Sequence, residues 1–319
     1  MNTYLRGVSD VVSFRRLAAR QDGLLVDEIT NLAASCGQTN VFNVSILEKA
    51  GAVHATYRAL GLDGVKPFRA FYAYRAAAGS SWDLCDLTEH ARAYSVKVVA
   101  DPKLALVADG VQVTFNTGWP DRGFNDIYLM PLTPMPGKPR AVQLHDAERH
   151  RVEKNWAFSS AGEAGIAGIY QLDPLITLRQ RNVGDEHGPI TFDLVRHPER
   201  RQRLSSRQLT IGTQPAVTAK GLVLMAHERV TIGRRRAYLG RPMRIETDSS
   251  GTSTAVLSPH RFVHSISSML PRRGAHNRNL LSATYFSGLD VLGGTVRLSY
   301  GINDLGFGIA ELEEELLWA

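Results

Sequence analysis

Short β-strands that recur in similar pairs are the feature that most constrains the fold of this 319-residue chain. Each pair joins two runs of alternating apolar residues through a turn of Gly, Asp, Asn or Pro, which is typical of antiparallel strands. Five such units follow one another: 42–58, 97–116, 153–178, 238–265 and 279–304. Similar four-stranded units cannot bury their apolar faces alone and do so by packing around an axis. The sequence therefore predicts an all-β fold, a five-bladed β-propeller.

The second unit, 97–116, shows the plan most clearly. Asp109-Gly110 is a strong hairpin signal, and alternating apolar residues flank it on both sides. Asp101 precedes Pro102, and proline disfavours the helical region for the residue before it. We therefore expect an extended Asp101 at the start of a strand, where a fixed carboxylate is well placed to face a pocket. The alternative is that Asp-Pro only begins the strand.

The two ends of the chain differ from this pattern. Residues 1–35 predict a short irregular or helical segment that packs on the propeller, which would comprise residues 36–319. Within that segment, apolar spacing indicates one helix from Ser9 to Ala18 and another over 27–34. The tail from Ile309 predicts a strand followed by a helical turn.

Composition excludes several protein classes. With 44% hydrophobic and 21% charged residues, the chain is typical of a soluble globular protein. No run approaches the ~20 apolar residues that span a membrane, and the N-terminus lacks the pattern of a secretory signal. The cysteines are Cys36 and Cys85, which do not make a disulfide framework. We therefore expect a cytoplasmic protein without a transmembrane segment, and the sequence assigns no oligomeric state.

Positive charge is the other compositional feature. The net charge is +6, with arginine-rich runs at 196–203, 234–236 and 272–273. Such runs suit nucleic acid, an anionic membrane surface, or phosphorylated and acidic sugars. They lack interleaved aromatic residues, so we expect no nucleic-acid partner. The sequence has no metal-ligand spacing, phosphate-binding glycine loop or dinucleotide fingerprint, and we expect no metal and no cofactor.

Polar residues recur near the predicted inner strand of each unit. Buried polar groups are costly unless they are paired or used. Strand starts that converge on one axis would build a pocket of carboxylates, amides and cations, which suits a carbohydrate with or without a phosphate group. The candidates are Asn43, Ser45, Asp101, Lys154, Asn155, Arg241, His264 and Asp304.

Five motifs occur in one order along the chain. They are Asn43-Val44-Ser45 with Arg58, Asp101-Pro102-Lys103, Glu153-Lys154-Asn155-Trp156, Gly240-Arg241-Pro242 with His264-Ser265, and Tyr300-Gly301-Ile302-Asn303-Asp304 before Ile309-Ala310. The set resembles the five-bladed propellers of glycoside hydrolase family 130, the mannoside phosphorylases, and the related β-1,2-mannosyltransferases. This resemblance covers about residues 40–312. It implies that Asp101 is the general acid and that Lys154 contacts phosphate.

Three departures from the family pattern bear on the reaction. Ala100 stands where the family has Glu, Lys103 stands where it has Arg, and Gln171-Leu172-Asp173-Pro174 replaces its His-Arg phosphate clamp. The sequence therefore favours a glycosyltransferase-type enzyme that uses a phosphate-linked or nucleotide-linked sugar donor in polysaccharide or glycoconjugate synthesis. The alternatives are a glycoside phosphorylase or inverting hydrolase, and a non-catalytic glycan-binding propeller.

Each candidate residue has a functional and a structural interpretation. Asp101 would be the acid/base, and a second carboxylate at Asp304, Asp173 or Glu153 would serve an inverting hydrolase. Lys154, Arg241 and Arg58 would hold the anionic donor, while Asn43, Ser45, Asn155 and His264 would bind hydroxyls and Tyr300 would stack on a sugar. The structural alternatives are an ion pair between Lys154 and Glu153, a satisfied His264, and aromatic packing by Trp156 and Tyr300.

Overall fold

The computed structural model describes residues 11–14, 19–60, 68–107, 110–132, 134–185, 188–197, 208–232, 235–265 and 280–318. Its strands are β1 (Val11–Ser13), β2 (Arg20–Gln21), β3 (Thr39–Lys49), β4 (Ala52–Leu60), β5 (Arg69–Arg75), β6 (Asp83–Asp86), β7 (Ala100–Val107), β8 (Gly110–Asn116), β9 (Ile127–Pro131), β10 (Arg140–Leu144), β11 (Ala157–Ser160), β12 (Ile166–Leu172), β13 (Leu175–Gln180), β14 (Ile190–Arg196), β15 (Gln208–Ile211), β16 (Ala216–Thr218), β17 (Gly221–Ile232), β18 (Arg235–Thr247), β19 (Ser253–Leu257), β20 (Arg261–Val263), β21 (Leu280–Leu292), β22 (Thr295–Ile302) and β23 (Gly306–Glu313). The α-helices are α1 (Gly23–Ser35) and α2 (Leu87–Arg92), and short 3₁₀ helices span Gly162–Ala164 and Glu314–Leu317.

Antiparallel four-stranded meanders make up most of the molecule. Strands β3 to β6 form one sheet, and β7 to β10 and β11 to β14 form two more meanders that join through parallel pairing of β10 with β14. In the last sheet, β17 and β18 pair over their whole length, and β18 also runs parallel to β21. The sheet continues through β22 and β23 to β2. The chain is therefore nearly all β, as its strand pattern predicts.

The hairpin predicted over 97–116 is present as β7 and β8. Leu104 pairs with Val113 and Leu106 with Val111, while residues 108 and 109 of the turn lie outside the described residues. The extended backbone expected at Asp101 is wrong, because its φ is 49°. The strand register shifts between Ala100 and Lys103, and this irregularity replaces the extended geometry that proline favours in an unconstrained chain.

The N-terminal segment combines strands with one of the two predicted helices. The expected helix over 27–34 is confirmed as α1, whose first turn is capped by Asp22 accepting from Leu25 N at 3.1 Å. The helix expected from Ser9 is wrong where it is described, because β1 pairs in parallel with β20. β2 pairs with β23, and the tail forms a strand and then a 3₁₀ helix. A domain boundary after residue 35 stays a prediction.

Small hydroxyl side chains join neighbouring meanders near their first strands. Ser45 Oγ accepts from Leu104 N at 3.0 Å, which ties β3 to β7. Thr56 donates to Pro102 O at 3.3 Å, and Ser287 donates to Val44 O at 2.6 Å. All three hydroxyl-bearing residues are buried. These contacts bring β3, β4, β7 and β21 together, so the polar residues along them lie close to one another.

Close packing of the last sheet makes Gly240 indispensable. A Cβ at Gly240 would overlap the ring of Phe286, which is fully buried. We expect Gly240→Ala to lower the free energy of unfolding by about 1–3 kcal/mol, the usual cost of overpacking a core. Chemical denaturation would measure it. Gly23→Ala is the matched control because no atom of the described residues lies within 4 Å of its added methyl group. An equal loss in both variants would contradict the packing argument.

Two features bear on membranes and charged partners. No helix in the described ranges is long and apolar enough to cross a membrane. Most of the arginine-rich runs, including 198–203, 234 and 272–273, lie outside the described residues. The expectation that the chain has no nucleic-acid partner therefore stays a prediction.

Candidate functional site

Polar residues with left-handed backbone conformations mark the candidate site. Asn43, Asp101, Asn155 and Asp304 have φ values of 51°, 49°, 61° and 55°. Such values are uncommon for residues other than glycine, are several-fold enriched in Asn and Asp, and cluster at functional sites. Asn43 and Asp101 both lie where the register of their strand shifts. Each of these residues was a candidate from the sequence.

An ion pair between β4 and β7 fixes the carboxylate of Asp101. Arg58 Nη1 donates to Asp101 Oδ1 at 3.1 Å, and each side chain is 21% exposed. The Arg58 guanidinium lies 5.3 Å from the ring centre of Phe42 and 5.2 Å from that of Phe68. Two aromatic contacts orient the guanidinium, so the carboxylate is held in place while part of it stays open to solvent.

Three cations surround the Asp101 carboxylate. Burial raises the pKa of Asp101, but Arg58, Lys154 and Lys103 outweigh that effect and hold the pKa below its usual value. Asp101 is therefore ionised at neutral pH in the unliganded protein. The exposed Lys154 comes from the segment before β11, so the cations belong to three separate meanders.

Lys103 is a buried cation beside this carboxylate. It is 2% exposed, and its Nζ donates to Asn155 Oδ1 at 3.0 Å and lies 5.3 Å from the ring centre of Tyr285. Burial lowers the pKa of Lys103 from 10.5 to about 8, Asp101 opposes that change, and Lys154 adds to it. Asn155 Oδ1 also accepts from the Tyr285 hydroxyl at 3.2 Å. One amide oxygen thus joins Lys103 and Tyr285.

Tyr285 and His227 form the wall behind Lys103. Their ring centres are 4.2 Å apart, and His227 donates from Nε2 to Phe286 O at 3.0 Å. Burial, with Lys103 next, lowers the pKa of His227 to about 3, so its ring is neutral. Burial, followed by Asp101, raises the pKa of Tyr285 well above 10, and Asp304 adds to the rise. Asp101 and Asp304 therefore both lie within electrostatic reach of the Tyr285 hydroxyl.

A small pocket opens beside Asp101. Lys103, Thr114, Asn116 and Asn155 supply polar atoms to its lining, and Trp156 forms part of its apolar wall. It offers a carboxylate, an ammonium group, a hydroxyl and amides in one place. These groups can donate and accept hydrogen bonds and present charge, and the cavity between them is about 10 Å³, roughly the room of one water molecule.

Asn43 and Asp304 lie where β3 meets the end of β22. Asn43 is 5% exposed, and no described residue forms a hydrogen bond with its Oδ1. A Cβ at Gly301 would overlap that oxygen, so only glycine allows this approach. Asn40 Nδ2 donates to the main-chain oxygen of Asp304 at 3.1 Å, which positions the turn after β22.

Arg241 has partners within its own sheet. Its Nη1 donates to Glu228 Oε2 at 3.3 Å and its Nε to Ser258 O at 3.0 Å, while Arg261 Nε donates to the same Glu228 oxygen at 2.8 Å. Glu228 is 1% exposed. These contacts make Arg241 part of a buried ionic cluster, and they do not support the prediction that it holds a phosphate.

The structure places His264 and Tyr300 together, beside the aromatic core. His264 Nδ1 lies 3.1 Å from the Tyr300 hydroxyl, which also donates to Gln21 Oε1 at 3.2 Å. The Tyr300 ring is fully buried and stacks on Phe14 at 5.2 Å between ring centres. It has no exposed face for a sugar, which corrects the prediction of stacking by Tyr300. Trp156 is also buried and packs against Tyr170.

Glu153 positions the segment that carries Lys154 and Asn155. Glu153 Oε1 accepts from His150 N at 2.8 Å and from the Tyr170 hydroxyl at 2.9 Å, and its Oε2 accepts from Trp156 Nε1 at 3.2 Å. Its carboxylate is thereby occupied as a scaffold, which argues against a second catalytic carboxylate there.

Asp173 is the last of the carboxylate candidates, and the described residues can also be searched for metal ligands. Asp173 is exposed in the turn between β12 and β13. Within the described ranges, no group of three or more His, Cys, Asp or Glu side chains is arranged to hold a metal ion.

The sequence did not nominate three residues of this site. Lys103 was noted only as a departure from a family pattern, and its place directly before the apolar run 104–107 gives no sign of burial, because lysine is rarely buried. Tyr285 and His227 carry no local signal, because their strands meet β7 only in the folded chain.

The chain is nearly all β, and polar and cationic side chains meet beside Asp101 where its strands converge. No family model and no curated protein sequence matches the chain, but solved structures share its fold. A glycosyl hydrolase from Bacteroides ovatus has a TM-score of 0.59 and 14% identity, over 87% of this chain and 85% of its own.

Two phosphorylases also share the fold. For β-1,2-mannobiose phosphorylase from Listeria innocua, in complex with β-1,2-mannobiose, the TM-score is 0.58 and the identity 11%, over 88% of this chain and 91% of that one. For a mannose phosphorylase from Leishmania mexicana, in complex with phosphate ion, the values are 0.50 and 13%, over 93% and 97%. At these identities the similarity establishes the fold.

Proposed function

We propose that the chain is a glycoside phosphorylase acting on a manno-oligosaccharide. Inorganic phosphate would be the co-substrate in one direction, and a sugar 1-phosphate would be the glycosyl donor in the other. The observation that carries this proposal is the group of three cations, Arg58, Lys103 and Lys154, around the ionised Asp101. Cations in excess of the local carboxylates favour an anionic ligand such as phosphate.

The proposal replaces the transferase that the sequence placed first. The solved structures with this fold include phosphorylases and hydrolases, which favours the alternative that the sequence placed second. The exchange of the His-Arg clamp for 171–174 argues against phosphate use, but Lys103 supplies a buried positive charge beside Asp101. A phosphate-linked donor is retained, because it is the substrate of the reverse reaction, whereas a nucleotide-linked donor is not needed.

Asp101 would exchange the proton in a single displacement. In phosphorolysis, a phosphate oxygen attacks the anomeric carbon, the glycosidic C–O bond breaks, and the departing oxygen takes a proton from Asp101. In synthesis, the Asp101 carboxylate takes the proton of the acceptor hydroxyl while phosphate leaves with the bonding electron pair. Bound phosphate would place negative charge among the cations and raise the pKa of Asp101, which prepares it to carry that proton.

The remaining residues near Asp101 would bind the substrate or support the residues that do. Asn155 and Asp304 would bind hydroxyls, while Tyr285 and His227 would support Lys103 and Asn155.

We also propose that the meanders are blades of a five-bladed propeller, which the contacts of β7 with β3, β11 and β21 support. A cytoplasmic location is supported by Cys36 and Cys85, which are both free thiols.

Phosphate dependence is the test of this proposal. We expect the purified protein to release mannose 1-phosphate from β-1,2-mannobiose only when inorganic phosphate is present, measured by chromatography of the products. Free mannose in equal amounts with and without phosphate would identify a hydrolase instead. Consumption of a nucleotide sugar with no reaction of mannobiose would restore the transferase, and no turnover of either substrate would favour a glycan-binding protein.

A further inference from the structure

We propose that Trp119 and Phe124 form an aromatic platform on which a pyranose ring of the substrate stacks beside the Asp101 pocket. Both residues lie in the rim loop, which we define as residues 117–126 between β8 and β9. This inference rests on the proposed function and deepens it, because it names a residue that would set specificity for the carbohydrate.

Both aromatic side chains are exposed to solvent. Trp119 is 73% exposed and Phe124 is 57% exposed. Leaving this aromatic surface in water forgoes about 25 cal/mol per Å², which a ligand that covered it would recover. Aromatic rings suit sugars because one face of a pyranose presents C–H groups, while its hydroxyls remain free for polar partners.

The base of the rim loop lies against the segment that leads into Asp101. Gly118 N donates to Asn116 Oδ1 at 2.9 Å, and Asn116 lines the pocket. A Cβ at Gly118 would lie 3.5 Å from Val98 Cγ1 and 4.0 Å from Ala100 Cβ. Gly118 therefore lies near Ala100, the residue before Asp101, and Trp119 directly follows Gly118, which places the start of the rim loop beside the pocket.

The opposite side of the rim loop is braced by the segment that leads to Lys154. Arg151 donates from Nη2 to Pro120 O at 3.2 Å and to Asp121 O at 3.1 Å. The Arg149 guanidinium lies 5.8 Å from the ring centre of Phe124. The loop is thus tied on both sides to segments that supply the pocket. A fixed platform loses little entropy when a ligand binds.

The position of the rim loop beside the pocket identifies the occupant as the carbohydrate. A sugar whose glycosidic oxygen faces Asp101 would extend its next ring over the rim loop. The residues between the two aromatic side chains include Asp121 and Arg122, which add hydrogen-bonding groups for hydroxyls. A second copy of this chain is the competing occupant, and the experiment distinguishes the two.

Acrylamide quenching of tryptophan fluorescence tests the inference. Trp82, Trp156 and Trp318 are buried or half-buried, so Trp119 dominates the accessible signal. We expect β-1,2-mannotriose to protect the wild-type protein from quenching. We expect Trp119→Ala to bind the sugar about two- to tenfold more weakly and to raise KM while kcat stays within twofold, because the variant loses a stacked aromatic contact. Trp119→Phe should recover much of the affinity.

Leu24→Ala is the matched control, because Leu24 is also 73% exposed but lies in α1. It should leave affinity and KM unchanged. Wild-type turnover of mannobiose with unchanged KM in Trp119→Ala would overturn this inference and leave the proposed function intact. Absence of sugar protection in the wild-type protein would also overturn it. Loss of a dimer in Trp119→Ala, measured by light scattering, together with unchanged sugar affinity would also overturn this inference.

Discussion

Asp101→Asn is expected to lower kcat for phosphorolysis of β-1,2-mannobiose by about 10²- to 10⁴-fold, the usual contribution of a positioned acid or base. The amide has the shape of the carboxylate but can neither accept the proton of the acceptor hydroxyl nor return it. Its oxygen can still accept from Arg58, whose Nη1 lies 3.1 Å from Asp101 Oδ1 in the native protein. Sugar affinity should therefore change much less than turnover.

Asp173→Asn is the control for this substitution. Asp173 is exposed in the turn between β12 and β13, so its neutralisation should leave kcat within twofold. Equal activity of Asp101→Asn and the wild-type protein would reject the acid/base role. Sugar binding by both, together with no turnover by either, would favour the glycan-binding alternative.

The stability of the same variant provides an independent check. The cations hold the pKa of Asp101 below its unfolded value, so the folded state binds fewer protons at acidic pH. The stability from this carboxylate is present above the unfolded pKa of about 3.9 and is lost as pH falls through the folded pKa. Wild-type stability should therefore fall more steeply with acid than that of Asp101→Asn.

Local patterns predicted the strands well. Period-two alternation and the Asp-Gly signal depend only on neighbouring residues, and β7 and β8 form the predicted hairpin, with Leu104 opposite Val113. Because Val107 pairs with Gly110, the turn lies one residue earlier than Asp109-Gly110 predicts. The order of the motifs also predicted that Arg58, Asp101 and Lys154 would meet. These residues begin or border strands that pack together once the meanders form, so their placement follows from the fold.

Contacts between distant parts of the chain determine the features that local sequence patterns did not predict. Proline at 102 favours an extended Asp101, yet the register shift and the pairing with Arg58 hold its φ at 49°. Tyr300 has the sequence context of a site residue, but Phe14, which is distant in sequence, covers its ring. Tyr285 reaches Asn155 across 130 residues. Periodicity contains no information about such contacts, because they depend on how separate meanders pack.

Lys103→Met is expected to raise stability and lower activity. Burial lowers the pKa of Lys103 to about 8, and the difference from 10.5 corresponds to a cost of about 3 kcal/mol for keeping the ammonium charged in the folded protein below that pH. Methionine fills a similar volume without this cost. Loss of the contacts with Asn155 and Tyr285 offsets part of the gain, which leaves about 1–2 kcal/mol. Thermal unfolding at pH 7 would measure it.

The pH dependence identifies the source of that gain. Between the folded pKa of about 8 and the unfolded pKa of about 10.4, the unfolded chain keeps a proton that folded Lys103 has released. Wild-type stability should therefore contain a component that rises with pH across this window, and Lys103→Met should lack it. Lys154→Met is the control, because Lys154 is exposed and its removal relieves no burial cost.

In Lys103→Met, activity should fall while stability rises. This difference shows whether the charge of Lys103 serves function or only structure. Without Lys103, the phosphate would lose the buried positive charge beside Asp101, and we expect kcat/KM for phosphate to fall about 10- to 100-fold, since charged hydrogen bonds contribute about 1.5–3 kcal/mol. A buried lysine that weakens the fold is retained only where its charge is used. Lower stability with unchanged phosphate kinetics in Lys103→Met would show instead that Lys103 holds Asn155 and Tyr285 in place, and the phosphate site would then have to lie elsewhere in the pocket.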